Sequence, residues 1–177
     1  MKTKEIALSS LFAALMCVLS PFSIPMTVPI SLSVLAVFIT ALCQRPKAAL
    51  VSTLVYIALG SVGVPVFSGF NGGIQVLAGP TGGFIMAYPI MAFIISYSVN
   101  HFTRHRAVAK ICSMIVALIV CYALGTFFFC VSTKQGVAYA ISACVAPFVL
   151  IDLAKIAAAY IISLFFDKTN LSKLMSD

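Results

Sequence analysis

The chain has 177 residues, 62% of them hydrophobic and only 8% charged, with a mean hydropathy of +1.15. A soluble domain carries about 25% charged residues, so these side chains cannot clothe a globule in water, and a soluble enzyme or DNA-binding protein is excluded. The net charge of +7 then needs a reason other than nucleic acid, and the chain divides naturally into membrane spans of about 20 apolar residues.

Six apolar stretches follow one another at 6–22, 30–43, 48–66, 84–99, 111–131 and 139–166. The first comes after Met1-Lys2-Thr3-Lys4-Glu5, a basic start like that of a signal peptide. No small-residue cleavage site follows it, so a retained first helix is expected. Small residues recur along this helix at Ser9, Ala13 and Cys17, with Ser10 and Ala14 beside them. Such a stripe lets another helix approach closely, inside the protein or from a partner. The basic residues sort by loop. Lys2 and Lys4 precede the first stretch, Arg45 and Lys47 separate the second and third, and Arg104, Arg106 and Lys110 separate the fourth and fifth. Lys168 and Lys173 follow the sixth. Only Lys134 falls on the other side and Lys155 inside a stretch. The positive-inside rule predicts six spans with both termini cytoplasmic. The basic balance therefore records topology.

The loops on the opposite side are unusual. Loop 21–29 is uncharged and proline-rich, and all ten glycines except Gly125 and Gly136 fall in window 60–83. This window is also studded with Val, Phe, Leu and Ile, unlike a flexible linker. It predicts a loop folded back against the helices, with backbone amides facing a ligand. It is no nucleotide cradle, because G-x-x-x-x-G-K-[ST] is absent and no lysine lies between Lys47 and Lys110. His101 and His105 are spaced for one helix face but lie in a basic loop without a carboxylate, and read as solvated residues. The six cysteines form no C-x-x-C pair and read as packing residues.

Two charges remain inside the spans, Asp152 and Lys155, spaced to share one helix face. Ionisable residues at membrane depth usually mark a ligand or ion path. Pro147 divides the sixth stretch, and a span starting near Phe148 is about 28 Å long. Asp152 then lies one turn inside the boundary, level with the two odd loops, so pair and loops converge on one extracellular-side pocket.

Several motifs here carry a resemblance: Val28-Pro-Ile-Ser-Leu, Gly63-Val-Pro-Val-Phe-Ser-Gly-Phe-Asn-Gly-Gly, Gly79-Pro-Thr-Gly-Gly-Phe, and Pro147-Phe with Asp152 and Lys155. Together they resemble the BioY family, the biotin-binding S components of energy-coupling factor (ECF) transporters, from about Ser10 to Phe166. The resemblance implies an all-α membrane protein of six helices in the cytoplasmic membrane of a bacterium, binding biotin from outside. It implies a transmembrane coupling protein and two ATPases as partners, with ATP used by those subunits and no cofactor, metal or catalytic residue in this chain. Family members meet the coupling protein through the small-residue face of the first helix, here Ser9 and Ala13, with Ser10 and Ala14 as the alternative register. Ser33 stands where the family commonly has Gln, and Phe84 where it often has Tyr.

The resemblance also gives the site residues roles. Asp152 accepts from the ureido N–H groups of biotin, and Asn71 offers the ring both donor and acceptor. Lys155 either neutralises Asp152 or meets the carboxylate or the ureido oxygen. Phe67, Phe70, Phe84 and Tyr88 supply apolar walls, and the amides of Gly72-Gly73 and Gly82-Gly83 assist at the carboxylate. One rival reading is a self-sufficient carrier with Asp152 as a proton site, and another is an S component for a different vitamin. A membrane enzyme would need several clustered acids or histidines, which four acids in all do not supply.

Overall fold

The computed structural model describes residues 3–26, 28–102 and 106–168. Lys2, Thr27, Arg104, His105 and Lys173 lie outside the described residues. The fold is almost wholly helical: α1 (Thr3–Leu19), α2 (Ser33–Cys43), α3 (Pro46–Ser61), α4 (Ile74–Ala78), α5 (Gly82–His101), α6 (Arg106–Thr133), α7 (Val137–Cys144) and α8 (Ala146–Lys168). Between α1 and α2 the chain makes a small antiparallel hairpin, β1 (Ser23–Ile24) against β2 (Ile30–Ser31), with Ser23 opposite Ser31. Among the described residues, three stretches are long and apolar enough to cross a membrane: Gly82–His101, Arg106–Thr133 and Val137–Asp167; α2 and α3 are shorter apolar helices.

The surface confirms what composition demands. Leu150 is 81% exposed and Phe127 69%, a pattern that water would penalise and lipid would not. Inside, Met16, Phe38, Tyr56, Phe67, Met91, Ile95 and Met114 are fully buried. At the centre, α5 packs on α6, α3 and α2, while α8 packs on α2, α7 and α6. Glycine decides how closely some of these helices meet. A Cβ on Gly83 would collide with Phe128 and one on Gly125 with the Phe84 ring, so α5 and α6 cross where neither carries a side chain.

The glycine-rich window is shorter as a loop than its composition suggests, because α3 runs to Ser61 and α4 and α5 occupy much of the rest. Its amides are mostly used internally. Gly63 and Gly73 donate to Gly60 O at 3.2 and 2.7 Å, Gly69 to Pro21 O at 2.9 Å, and Gly82 to Gly79 O at 3.0 Å. The apolar sixth stretch breaks at Val145, and Pro147 sits in the first turn of α8, where its missing N–H costs no helical bond.

The end opposite the hairpin is pinned by polar contacts. Lys110, grouped by sequence with the loop charges, is buried in α6; its Nζ donates to Ser163 Oγ at 3.0 Å and to Asp167 Oδ2 at 2.6 Å, both on α8. Gln44, in the α2–α3 turn, donates to Leu8 O and accepts from Ser52 Oγ, while its carbonyl accepts from Ser96 Oγ. One turn thereby joins α1, α3 and α5.

Candidate ligand site

A cavity of about 210 Å³ opens at the hairpin end of the bundle. Local backbone explains how its first wall forms. Phe67 N–H donates to Asn71 O at 2.9 Å, closing a tight turn through Ser68, Gly69 and Phe70. The turn needs left-handed backbone at Gly69 (φ 73°) and at Phe70 (φ 60°), the latter a strained conformation for a bulky residue. It places Phe67 and Asn71 together on the cavity wall. The Phe67 ring fills the space over Gly60, where a Cβ would meet the ring itself, and stacks edge-on to Tyr56 at 5.6 Å. Asn71 Nδ2 is held by Ser68 O at 2.8 Å.

α5 contributes Phe84, Ile85 and Tyr88, α6 Leu118, Cys121 and Tyr122, and α8 Phe148, Asp152 and Lys155. Phe84 lies against Gly125, so the bare α5–α6 crossing also seats a wall of the cavity. Ser31 lines the cavity too, with Ser33 behind it at 2.8 Å between the hydroxyl oxygens. The aromatic and aliphatic lining suits a flat, largely apolar ligand.

One carboxylate interrupts that lining. Asp152 is 1% exposed, and both its oxygens are engaged: Oδ1 accepts from Lys155 Nζ at 2.7 Å and Oδ2 from Tyr122 OH at 2.6 Å. The buried charge is thus neutralised within its own helix and hydrogen-bonded from a second, which is what keeps an ionised group tolerable at low dielectric. Each carboxylate oxygen retains a further lone pair, and Lys155 further N–H donors. The site can therefore accept N–H groups and donate to an oxygen over a short span of wall. Among the described residues, no group of three or more His, Cys, Asp or Glu side chains is placed to hold a metal ion.

Of the residues singled out by sequence, Asp152, Lys155, Asn71, Phe67, Phe84 and Tyr88 meet at this cavity. Phe70 does not line it: the left-handed turn swings the ring outward to Phe22, 5.8 Å away, and leaves it 62% exposed. Gly72 and Gly73 do not line it either. A Cβ on Gly72 would strike the carbonyls of Val64 and Gly63, so this glycine serves close backbone packing, and the Gly73 amide is already donated to Gly60. On α1, Ser9 and Ala13 are buried, with Ser9 Oγ donating to Ala48 O at 3.4 Å, so that register is occupied by α3. Ser10 and Ala14 are exposed. Sequence reasoning missed Tyr122 and Ser31. Tyr122 had one signal, being the sole tyrosine of the fifth apolar stretch, where a hydroxyl needs a partner.

The chain is 36% identical over 164 residues to the probable biotin transporter BioY of Pyrococcus horikoshii, covering 92% of this chain and 96% of that protein. It is 33% identical to the biotin transporter BioY of Thermotoga maritima over 96% of this chain and 99% of that one. The biotin transporter BioY2 of Lactococcus lactis is 34% identical, over 87% of this chain and 85% of its own length. The crystal structure of the S-component for biotin from an ECF-type ABC transporter superposes with a TM-score of 0.85 over 94% of this chain and 92% of that one; at 23% identity, the two share a fold. A family model described as the BioY family matches residues 1–170, and the chain belongs to that family.

Proposed function

We propose that this chain captures biotin at the outer face of the cytoplasmic membrane, as the substrate-specific subunit of an ATP-driven ECF transporter. The observation that carries the reading is a buried carboxylate, already neutralised by Lys155, set in the aromatic wall of the cavity. Biotin matches it group by group. Its ureido ring brings an N–H donor for Asp152 and a carbonyl for Asn71 or Lys155, and its fused thioether ring suits Phe67, Phe84 and Tyr88. The names of the relatives and of the superposing structure support the same ligand.

The proposed topology has six passes, made by α1, α2, α3, α5, α6 and the α7–α8 unit, with both termini inside as the basic loops require. ATP is hydrolysed by partner subunits. The coupling protein docks on the exposed face of α1 around Ser10 and Ala14, because Ser9 and Ala13 are buried against α3.

The test is equilibrium binding of radiolabelled biotin to the purified chain in nanodiscs, without ATP, against thiamin and riboflavin as competitors. Tight binding displaced by biotin alone is expected. Displacement by another vitamin would reassign the substrate, and a folded protein that binds none of the three would remove the cavity from consideration.

A further inference from the structure

The polar wall has a member whose chemistry is not explained by contact with a ligand alone. Lys155 and Asp152 lie on the same helix, three residues apart, so their pair fixes one carboxylate oxygen but leaves the plane free to swing about the side-chain bond. The second oxygen is fixed from elsewhere: Tyr122 stands on α6 and reaches it at 2.6 Å. The tyrosine ring is itself immobilised. Tyr122 packs against both apolar clusters of the protein, the central one containing Met91 and Met114 and the hairpin-end one containing Val28, Ile30 and Phe148. Its hydroxyl position is thus set by packing, and a carboxylate held at both oxygens from two helices has a defined plane.

We propose that Tyr122 is a positioning residue, whose hydroxyl bond to Asp152 orients the carboxylate so that a remaining lone pair meets one N–H group of a cyclic urea in the plane of its ring. The proposal rests on the biotin reading above. A cyclic urea presents each N–H in one rigid plane, so the acceptor must lie close to that plane; hydrogen bonds prefer angles above about 150° and weaken steeply below about 120°. Without the hydroxyl, Asp152 keeps its charge partner and loses its orientation.

The experiment compares the full chain in nanodiscs with Tyr122→Phe, Asp152→Asn and the double variant, with Tyr160→Phe as a control tyrosine on α8. Tyr122→Phe keeps the ring and so its packing. Its biotin affinity is expected to fall roughly tenfold, with the melting temperature little changed, while Tyr160→Phe binds as the parent does. In the Asp152→Asn background, read by saturation-transfer NMR at millimolar biotin, adding Tyr122→Phe should cost nothing further; an equal loss in both backgrounds would make the tyrosine merely structural and overturn the proposal. Normal affinity of Tyr122→Phe would overturn it too. Infrared spectroscopy supplies a ligand-free arm: the carboxylate stretch that disappears in Asp152→Asn should shift in Tyr122→Phe and stay in place in Tyr160→Phe, and an unshifted band would refute the bond itself. Failure of the parent chain to bind biotin would instead remove the functional reading, with the infrared result still deciding the Tyr122 contact.

Discussion

At each end of the α6–α8 pair a buried lysine meets an aspartate, and the two meetings are built differently. At the hairpin end Lys155 and Asp152 share α8, and the bond that crosses to α6 is a tyrosine hydroxyl. At the opposite end the ion pair itself crosses, from Lys110 on α6 to Asp167 on α8, with Ser163 as a second acceptor and Arg106 at 3.9 Å from the same carboxylate. A pair within one helix cannot fasten that helix to another. It can, however, store a neutralised charge beside a cavity with lone pairs still open. A pair between helices spends its donors on fastening. Identical side-chain chemistry therefore leaves an open carboxylate in a cavity wall in one place and makes a rivet in the other, according to which helix supplies the lysine.

Substitutions should separate the two. The largest effect is expected from Asp152→Asn, which removes the charge facing the cavity but keeps the shape. Biotin affinity should drop about a hundredfold or more, as calorimetry or titration in nanodiscs would read, with the protein still folded but at a lower melting temperature because Lys155 is left buried without its partner. Near-normal affinity would dissolve the distinction between the two ends. Next, Lys110→Met replaces the rivet with an apolar side chain of similar length. The melting temperature should fall, with a stability loss of roughly 1–2 kcal/mol, and biotin affinity should stay within about twofold. Ser163→Ala removes only the weaker acceptor of Lys110. It should cost under about 1 kcal/mol and leave binding unchanged, a small melting shift that sharpens how much of the rivet is ionic.

Some of this could be read from the chain and some could not, for physical reasons. Charges stand out against an apolar span, so Asp152 and Lys155 were conspicuous, and their spacing alone put them on one face. Aromatic residues around a glycine-rich loop marked the walls, although spacing could not tell Phe67 from Phe70. One faces the cavity and the other faces outward because Gly69 and Phe70 adopt left-handed backbone, a choice invisible in composition. Glycine was read as a source of free amides, whereas Gly60, Gly83 and Gly125 mainly make room for the Phe67 and Phe84 rings and for a helix crossing. Both uses leave the same letter in the sequence. Lys110 sat next to loop arginines and was counted with them; its burial depends on Asp167, fifty-seven residues away, and no local pattern encodes that. The stripe on α1 offered two registers, and only the position of α3 assigns Ser9 and Ala13 to the interior.

The carboxylate held from two helices bears on time as well as on strength. A wall held by the protein's own contacts leaves less to be ordered when a ligand docks, so differences among ligands should fall mainly on how long each one stays rather than on how fast it comes. If the proposed capture of biotin holds, a long-lived complex would help in gathering the ligand and hinder its delivery. Because the Tyr122–Asp152 bond joins α6 to α8, any separation of the two helices would take the tyrosine from the aspartate and leave the carboxylate with one holder instead of two.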